Sequence, residues 1–385
     1  MISTADRLSN ISEYYFSRKL KEIDDLNKRG KQIINLGIGS PDLPPHPDVI
    51  KTLNDESAKP NQHSYQSYRG SPVLRQAISK WYKQWYNVEL DSETEILPLI
   101  GSKEGIVHLC MTFLNQGDKA LVPNPGYPAY SAGVHLAGAD CIDYNLKEEN
   151  NWFPDFNDLE SCDLSRVKLM WLNYPHMPTG QLPSKEMFEQ TISFAKKHDI
   201  LICHDNPYSF ILNDKPLSIL SIPGAKENAV ELNSLSKSHN MAGWRVGLLV
   251  GKEEIITEVL RFKSNMDSGM FLPVQLAAAK ALSLPNEWYE KVNNVYSDRR
   301  EKAFMLLKAL KTTFSKSQAG MFIWAKIDHS EKDCYSFVDK ILDKSRVFIT
   351  PGAIFGNSGN RYIRISLCAP VEKLEEAIKR IEEMV

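Results

Sequence analysis

Ser234-Leu235-Ser236-Lys237-Ser238-His239-Asn240-Met241-Ala242-Gly243-Trp244-Arg245-Val246-Gly247 sets one lysine between hydroxyls, with an arginine eight residues on and glycines on both sides of that arginine. A lysine so placed can form a Schiff base with an aldehyde cofactor. The hydroxyls and the arginine can hold a phosphate. A lysine beside serines is more often a solvated surface residue, so the weight comes from what flanks it. Apolar runs at 229–233 and 246–250 read as buried strands leading into and out of the lysine turn.

Working outward, further strand candidates fall at 94–100, 119–123, 167–173 and 200–204, several of them apolar on both faces. The stretches 101–114 and 184–197 read as helices between them. This alternation predicts an α/β fold, a mostly parallel central sheet flanked by helices. The last hundred residues differ. A helix from about 286 to 311 precedes strand candidates 321–327, 347–350 and 361–366, with helices at 333–344 and 371–384. That pattern predicts a smaller α+β domain. Residues 13–29 read as a helix with Phe16, Leu20, Ile23 and Leu26 on one face, expected to dock on that domain. The expected organisation is therefore an N-terminal segment 1–45 packing on the small domain, a large domain 46–285 and a small C-terminal domain 286–385.

Bulk properties narrow the function. The chain has 385 residues, 42% of them hydrophobic and 24% charged, as in a soluble globular protein with a sizeable core. A net charge of −2 without a long basic run argues against nucleic acid or an anionic membrane as main partner. Six scattered cysteines without a CxxC pair suit reduced thiols in the cytoplasm and give no metal-ligand spacing. No apolar stretch reaches membrane-spanning length.

Ligands of open α/β sheets bind beyond the carboxyl ends of the strands. Strand 94–100 ends at Gly101-Ser102-Lys103-Glu104, where a helix begins and its free N–H groups make an anion site. An ordinary strand-to-helix turn is the plainer reading. Strand 119–123 ends in Pro123-Asn124-Pro125-Gly126-Tyr127-Pro128-Ala129-Tyr130, whose prolines would hold Tyr127 rigidly, either against a flat cofactor or in the core. Strand 200–204 leads to His204-Asp205-Asn206-Pro207-Tyr208. A carboxylate at a buried strand end needs a partner, either a protonated pyridine nitrogen or a structural cation.

These pieces together resemble the class I and II aminotransferases, the fold-type I group that uses pyridoxal phosphate. The resemblance also covers Leu36–Pro45, Tyr65 with Gly70 and Leu74-Arg75, Asn173-Tyr174-Pro175-His176-Met177-Pro178-Thr179-Gly180, Pro351–Gly356 and Arg361-Tyr362-Ile363-Arg364. It implies that Lys237 carries pyridoxal 5'-phosphate as a Schiff base and then moves the proton at the substrate's α-carbon. It implies further that Asp205 pairs with the pyridine nitrogen, Tyr208 bonds the ring oxygen and Tyr127 stacks on the ring. Gly101, Ser102, Lys103, Ser234, Ser236 and Arg245 would surround the phosphate. Arg364 would clamp the substrate α-carboxylate, aided by backbone at Ile38 and Gly39. Tyr65 would reach the cofactor phosphate of a partner subunit, which makes the active unit a homodimer.

One departure stands out. The family usually reads Asn-Pro-Thr-Gly where this chain has Met177-Pro178-Thr179-Gly180. A methionine cannot donate the hydrogen bond that the asparagine gives the cofactor's ring oxygen, so His176 or Asn173 would have to take its place. The runs Ile96–Ile106, Leu36–Gly39 and Val122–Pro128 look most like the LL-diaminopimelate aminotransferase group, whose members use 2-oxoglutarate and glutamate and feed lysine synthesis. Relatives acting on aspartate, alanine, methionine or aromatic amino acids are the alternatives. A C–S lyase of the same fold ranks behind them, and a non-catalytic sensor further still.

Overall fold

The chain enters its first strand, β1, at Ile34–Asn35. The six apolar runs expected as strands of the large sheet all appear in the computed structural model, which describes residues 2–9, 11 and 15–384. They are β2 (Ile96–Leu99), β3 (Lys119–Asn124), then, after β4 (Asp140–Asn145), β5 (Val167–Asn173), β6 (Leu201–Asp205), β7 (Ala229–Ser234) and β8 (Gly247–Val250). Their order is β2-β8-β7-β6-β5-β3-β4. All run parallel except β8, which lies antiparallel between β2 and β7.

Central strands are largely apolar because helices cover both faces: Leu169, Met170, Trp171 and Leu172 of β5 are all fully buried. The strand of this sheet that the apolar pattern does not predict, β4, is one of its two edges. Its Asp-Cys-Ile-Asp-Tyr-Asn run buries only Tyr144, and an edge strand can carry polar residues because nothing pairs with its outer side. The expected helices at 101–114 and 184–197 are Ser102–Phe113 and Lys185–His198. Seven other α-helices among the described residues of this part are additional to those expected, the longest of them Pro47–Ser57, Pro72–Tyr86, Glu253–Lys263 and Leu272–Leu282. One of them has clear signals. Ser71 caps Pro72–Tyr86 by accepting from Leu74 N, proline opens its first turn and left-handed Asn87 closes it.

Towards the C-terminus, helix Asn286–Ala309 precedes β9 (Phe322–Lys326), helix Cys334–Ser345, β10 (Val347–Phe348), β11 (Thr350–Pro351), β12 (Tyr362–Ser366) and helix Val371–Glu382. The run 347–350 is not one strand. β10 pairs in parallel with β1, whereas β11 pairs with β12, because the chain changes partner at Ile349. Strands β11, β12 and β9 form an antiparallel sheet. The N-terminal stretch thus joins the C-terminal part through Ile34–Val347 and Asn35–Phe348. Helix Tyr15–Lys28 lies beside it, with Phe16 near Phe355 and Lys19 near the Phe348 ring. Residues 13 and 14 of the expected helix fall outside the described residues. Among the described residues no helix is long and apolar enough to cross a membrane.

Candidate active site

The carboxyl ends of β2, β3, β5, β6 and β7 converge on a cavity of ≈ 600 Å³, closed on its far side by residues from β9, β12 and helix Tyr15–Lys28. Thirteen of the fifteen expected site residues line it: Ile38, Gly39, Ser102, Lys103, Tyr127, Asn173, Asp205, Tyr208, Ser234, Ser236, Lys237, Arg245 and Arg364.

Lys237 sits in the short helix Leu235–Ser238 directly after β7, where the Ser234 hydroxyl accepts from Ser236 N and fixes the turn. Its Nζ donates to Gly39 O at 2.7 Å. Burial pulls its pKa down, and the nearby Arg364 and Arg245 guanidinium groups act in the same direction. An amine that gives up its proton more easily is the better nucleophile and proton carrier.

Asp205 ends β6 with only 4% of its surface exposed. Oδ2 accepts from the Tyr130 hydroxyl at 2.8 Å, while Oδ1 has no hydrogen-bond partner among the described residues. Burial raises the carboxyl to about 6, against the opposing hydrogen bond from Tyr130 and the neighbouring His204. Asn173 lines the cavity, but its amide donates to Asp205 O at 2.6 Å and its oxygen accepts from Met177 N at 2.8 Å. His176 does not reach the cavity. Its Nδ1 faces Thr179 Oγ1 at 2.8 Å, and burial lowers its pKa to about 3. Met177 itself lines the wall, and its sulfur accepts from Arg364 Nη1 at 3.3 Å.

At the other end, Gly101 precedes helix Ser102–Phe113 with φ +85°, and a Cβ there would collide with the Arg245 guanidinium. Arg245 donates to Ala242 O at 2.9 Å and lies beside Ser236 Oγ, which accepts from Ser234 Oγ at 2.9 Å. Burial and Arg245 pull the Lys103 amine down. Hydroxyls, a guanidinium and the N-terminus of a twelve-residue helix converge there, the donor set of a phosphate site. With a buried, open carboxylate oxygen on Asp205 opposite, the residues fit pyridoxal phosphate at both ends.

Arg364, on β12, is 3% exposed and donates from Nη2 to Gly37 O at 2.8 Å. Its guanidinium carbon lies 3.8 Å from the Phe322 ring centroid, 4.6 Å from Phe355 and 5.5 Å from Phe16. Gly39 packs against Phe322 so closely that any side chain there would collide with the ring.

Two expected residues are not in the cavity lining. Gly101 acts from behind, through the turn it permits. Tyr65 is 92% exposed and is not brought to the cavity within the chain. Conversely, Tyr130, Phe16, Ser17, Leu20, Phe322 and Phe355 line the site without being expected there. Tyr130 closes the proline-rich loop after β3, so a signal existed. The phenylalanines carry none that separates them from core.

The family model for aminotransferase class I and II matches residues 31–381. An LL-diaminopimelate aminotransferase from Dehalococcoides mccartyi is 41% identical over 377 residues, 97% of each chain. Among solved structures, substrate-bound BacF from Bacillus subtilis superposes with TM-score 0.94 at 38% identity, covering 100% of this chain and 98% of its own. An aromatic aminotransferase from Pyrococcus horikoshii has TM-score 0.87 and 29% identity, covering 94% and 98%.

Proposed function

The chain belongs to the class I and II aminotransferases, and from that premise we propose that it transfers the amino group of LL-diaminopimelate to 2-oxoglutarate, a step feeding lysine synthesis. It is an enzyme that uses pyridoxal phosphate and moves an amino group between an amino acid and a 2-oxo acid. The donor is read from full-length relatives named for it, such as that of Dehalococcoides mccartyi.

Bound pyridoxal phosphate supplies an aldehyde that takes up the amino group and an electron sink for the α-carbon. The observation that carries the residue roles is the meeting, in one cavity, of the buried Lys237 amine, the open Asp205 oxygen and the Ser234–Ser236–Arg245 cradle. In this reading Lys237 binds the cofactor aldehyde and then moves the proton at the α-carbon. Asp205 holds the proton of the ring nitrogen, Tyr127 faces the ring and Tyr208 serves the ring oxygen without help from Met177. Ser102, Lys103, Ser234, Ser236 and Arg245 hold the phosphate on the turn that Gly101 permits. Arg364 orients the substrate α-carboxylate beside Ile38 and Gly39. Residues 46–285 carry the cofactor, and 286–385 with the N-terminal segment carry the substrate clamp.

The active unit is read as a homodimer. Tyr65, Tyr68, Met266 and Phe271 are all exposed large apolar residues, and the loops that bear them meet where Gly269 packs against Gln66 and Ser67. Such a face suits a second copy, with Tyr65 entering the partner's site. The enzyme is read as cytoplasmic, in line with six cysteines that form no disulfide.

A second reading of the donor has its own observation. Phe16, Leu20, Ile38, Phe322 and Phe355 wall the cavity, and Asp205 is its sole carboxylate among the described lining residues. That favours a donor with an apolar side chain over one with a distal ammonium. One assay separates the two. The absorption band of lysine-bound cofactor should give way to the shorter-wavelength band of its amine form on adding L-glutamate, and 2-oxoglutarate should restore it. LL-diaminopimelate should then act as donor more efficiently than phenylalanine or methionine; the reverse order would select the apolar reading. A band that no amino acid moves would count against transamination itself.

A further inference from the structure

We propose that Tyr130 is a positioning residue that pins one oxygen of the Asp205 carboxylate and so presents the other to the cavity. The inference rests on the reading of Asp205 as partner of the cofactor's ring nitrogen. Tyr130 is fully buried in helix Ala129–Leu136, and its hydroxyl donates to Asp205 Oδ2 at 2.8 Å. Its ring is stacked on Trp171 with centroids 4.9 Å apart and planes 7° from parallel. Trp171 belongs to β5, which pairs directly with β6, so the phenol is referenced to the strand that bears Asp205. The Asp205 main chain is held independently, by the Asn173 amide on its carbonyl. Backbone and carboxylate are thus each fixed by a separate donor, and Oδ1 is left open.

The same short segment also carries Tyr127, which meets Tyr130 edge-on at 5.6 Å and 87°. One rigid turn therefore sets both the wall facing the cofactor ring and the orientation of the acid at its nitrogen. Charge obeys the same geometry. Asp205 faces Tyr130 and, through it, Tyr127 from the segment after β3 and Tyr208 from the turn after β6; His204 on its own strand; and Glu231 on β7. Burial and Glu231 favour the neutral acid, while Tyr130 and His204 favour the carboxylate. A hydroxyl donates to a carboxylate more strongly than to a carboxylic acid, so loss of the Tyr130 hydroxyl displaces the balance towards the neutral form. A phenylalanine keeps the ring on Trp171 and removes only that donor.

The test is pyridoxal phosphate binding to the cofactor-free protein, monitored by quenching of intrinsic fluorescence across the acid-to-neutral range, for wild type, Tyr130→Phe, Asp205→Asn and the double variant. In wild type, affinity should fall as Asp205 takes up a proton. In Tyr130→Phe that inflection should move up by about one pH unit, the size expected for one charge-assisted hydrogen bond. In Asp205→Asn the inflection should vanish, and adding Tyr130→Phe should change nothing more. An inflection in Tyr130→Phe that coincides with wild type, or an undiminished effect of the substitution in the Asp205→Asn background, would overturn the proposal. If Asp205→Asn leaves the inflection intact, the reading of Asp205 itself fails, a result distinct from failure of Tyr130 alone.

Discussion

The two walls of the cavity bury charge in opposite ways. On the wall made by the large sheet, burial works against the charges of Lys237 and Asp205, drawing the amine down and pushing the carboxyl up to about 6. In their proposed roles both groups exchange or hold protons, and a buried site suits them to that. On the opposite wall Arg364 is as buried, yet a guanidinium keeps its proton whatever its surroundings. There burial can only restrict where the cation points, which three phenylalanine faces and the Gly37 carbonyl do. One wall is built to titrate and the other to aim.

Substitutions should therefore separate along that line. Lys237→Ala removes the titrating amine and should lower kcat by more than about 10⁴-fold, while pyridoxal phosphate still binds without a covalent bond. Stopped-flow assay and a cofactor spectrum lacking the lysine-bound band check both halves; normal turnover would refute the assignment. Arg364→Ala should instead raise KM for every α-amino acid, with kcat/KM down by roughly 10²- to 10³-fold, the scale of truncating a buried charge pair. An effect confined to some donors would move Arg364 away from the shared carboxylate and break the contrast.

The titrating wall is far more legible in the sequence than the aiming one. Lys237, Asp205 and the Gly101–Lys103 turn each lie at the end of an apolar strand, so a local reading finds both the strand and the functional group at its tip. The aiming wall is assembled from Phe16, Phe322, Phe355 and Arg364, which lie far apart in the chain. An aromatic on a helix or strand face carries the same signal whether it packs on other apolar groups or on a guanidinium. The partner of Tyr130 is hidden for a related reason, although its loop is not, since its hydroxyl meets Asp205 only once β5 and β6 are side by side. Outside the site, β4 escapes notice because an edge strand need not be apolar, and 347–350 reads as one strand because a change of partner leaves no periodic trace.

Tuning a carboxyl upward has a pH-dependent cost in stability that an always-charged guanidinium does not bring. The folded cofactor-free chain holds the Asp205 proton up to about 6, whereas an ordinary aspartate releases it near 3.8. Between those values the folded state binds more protons than the unfolded one, so stability falls as pH rises and stays lower above the window. Asp205→Asn should remove that deficit, on the order of 3 kcal/mol, and raise the melting temperature of the cofactor-free protein by a few degrees at neutral pH. Calorimetry near pH 4 should find the two proteins alike. Equal melting temperatures at neutral pH would mean that Asp205 is ionised without strain.

The finest test of the contrast is Phe322→Leu. Phe322 is the nearest ring to the Arg364 guanidinium and is also the side chain against which Gly39 packs, so it touches both Arg364 and the residue whose carbonyl accepts from Lys237. A leucine fills most of the volume but has no negative face for the cation. If this wall only aims, Arg364 should stay charged and wander slightly, raising KM about threefold to tenfold, as loss of one cation–π contact allows. The pH dependence of kcat should not move, because no titrating group has lost a partner. A shifted pH profile would mean that Gly39 had moved with the ring and disturbed Lys237, so that the two walls act as one unit through the Gly39 backbone.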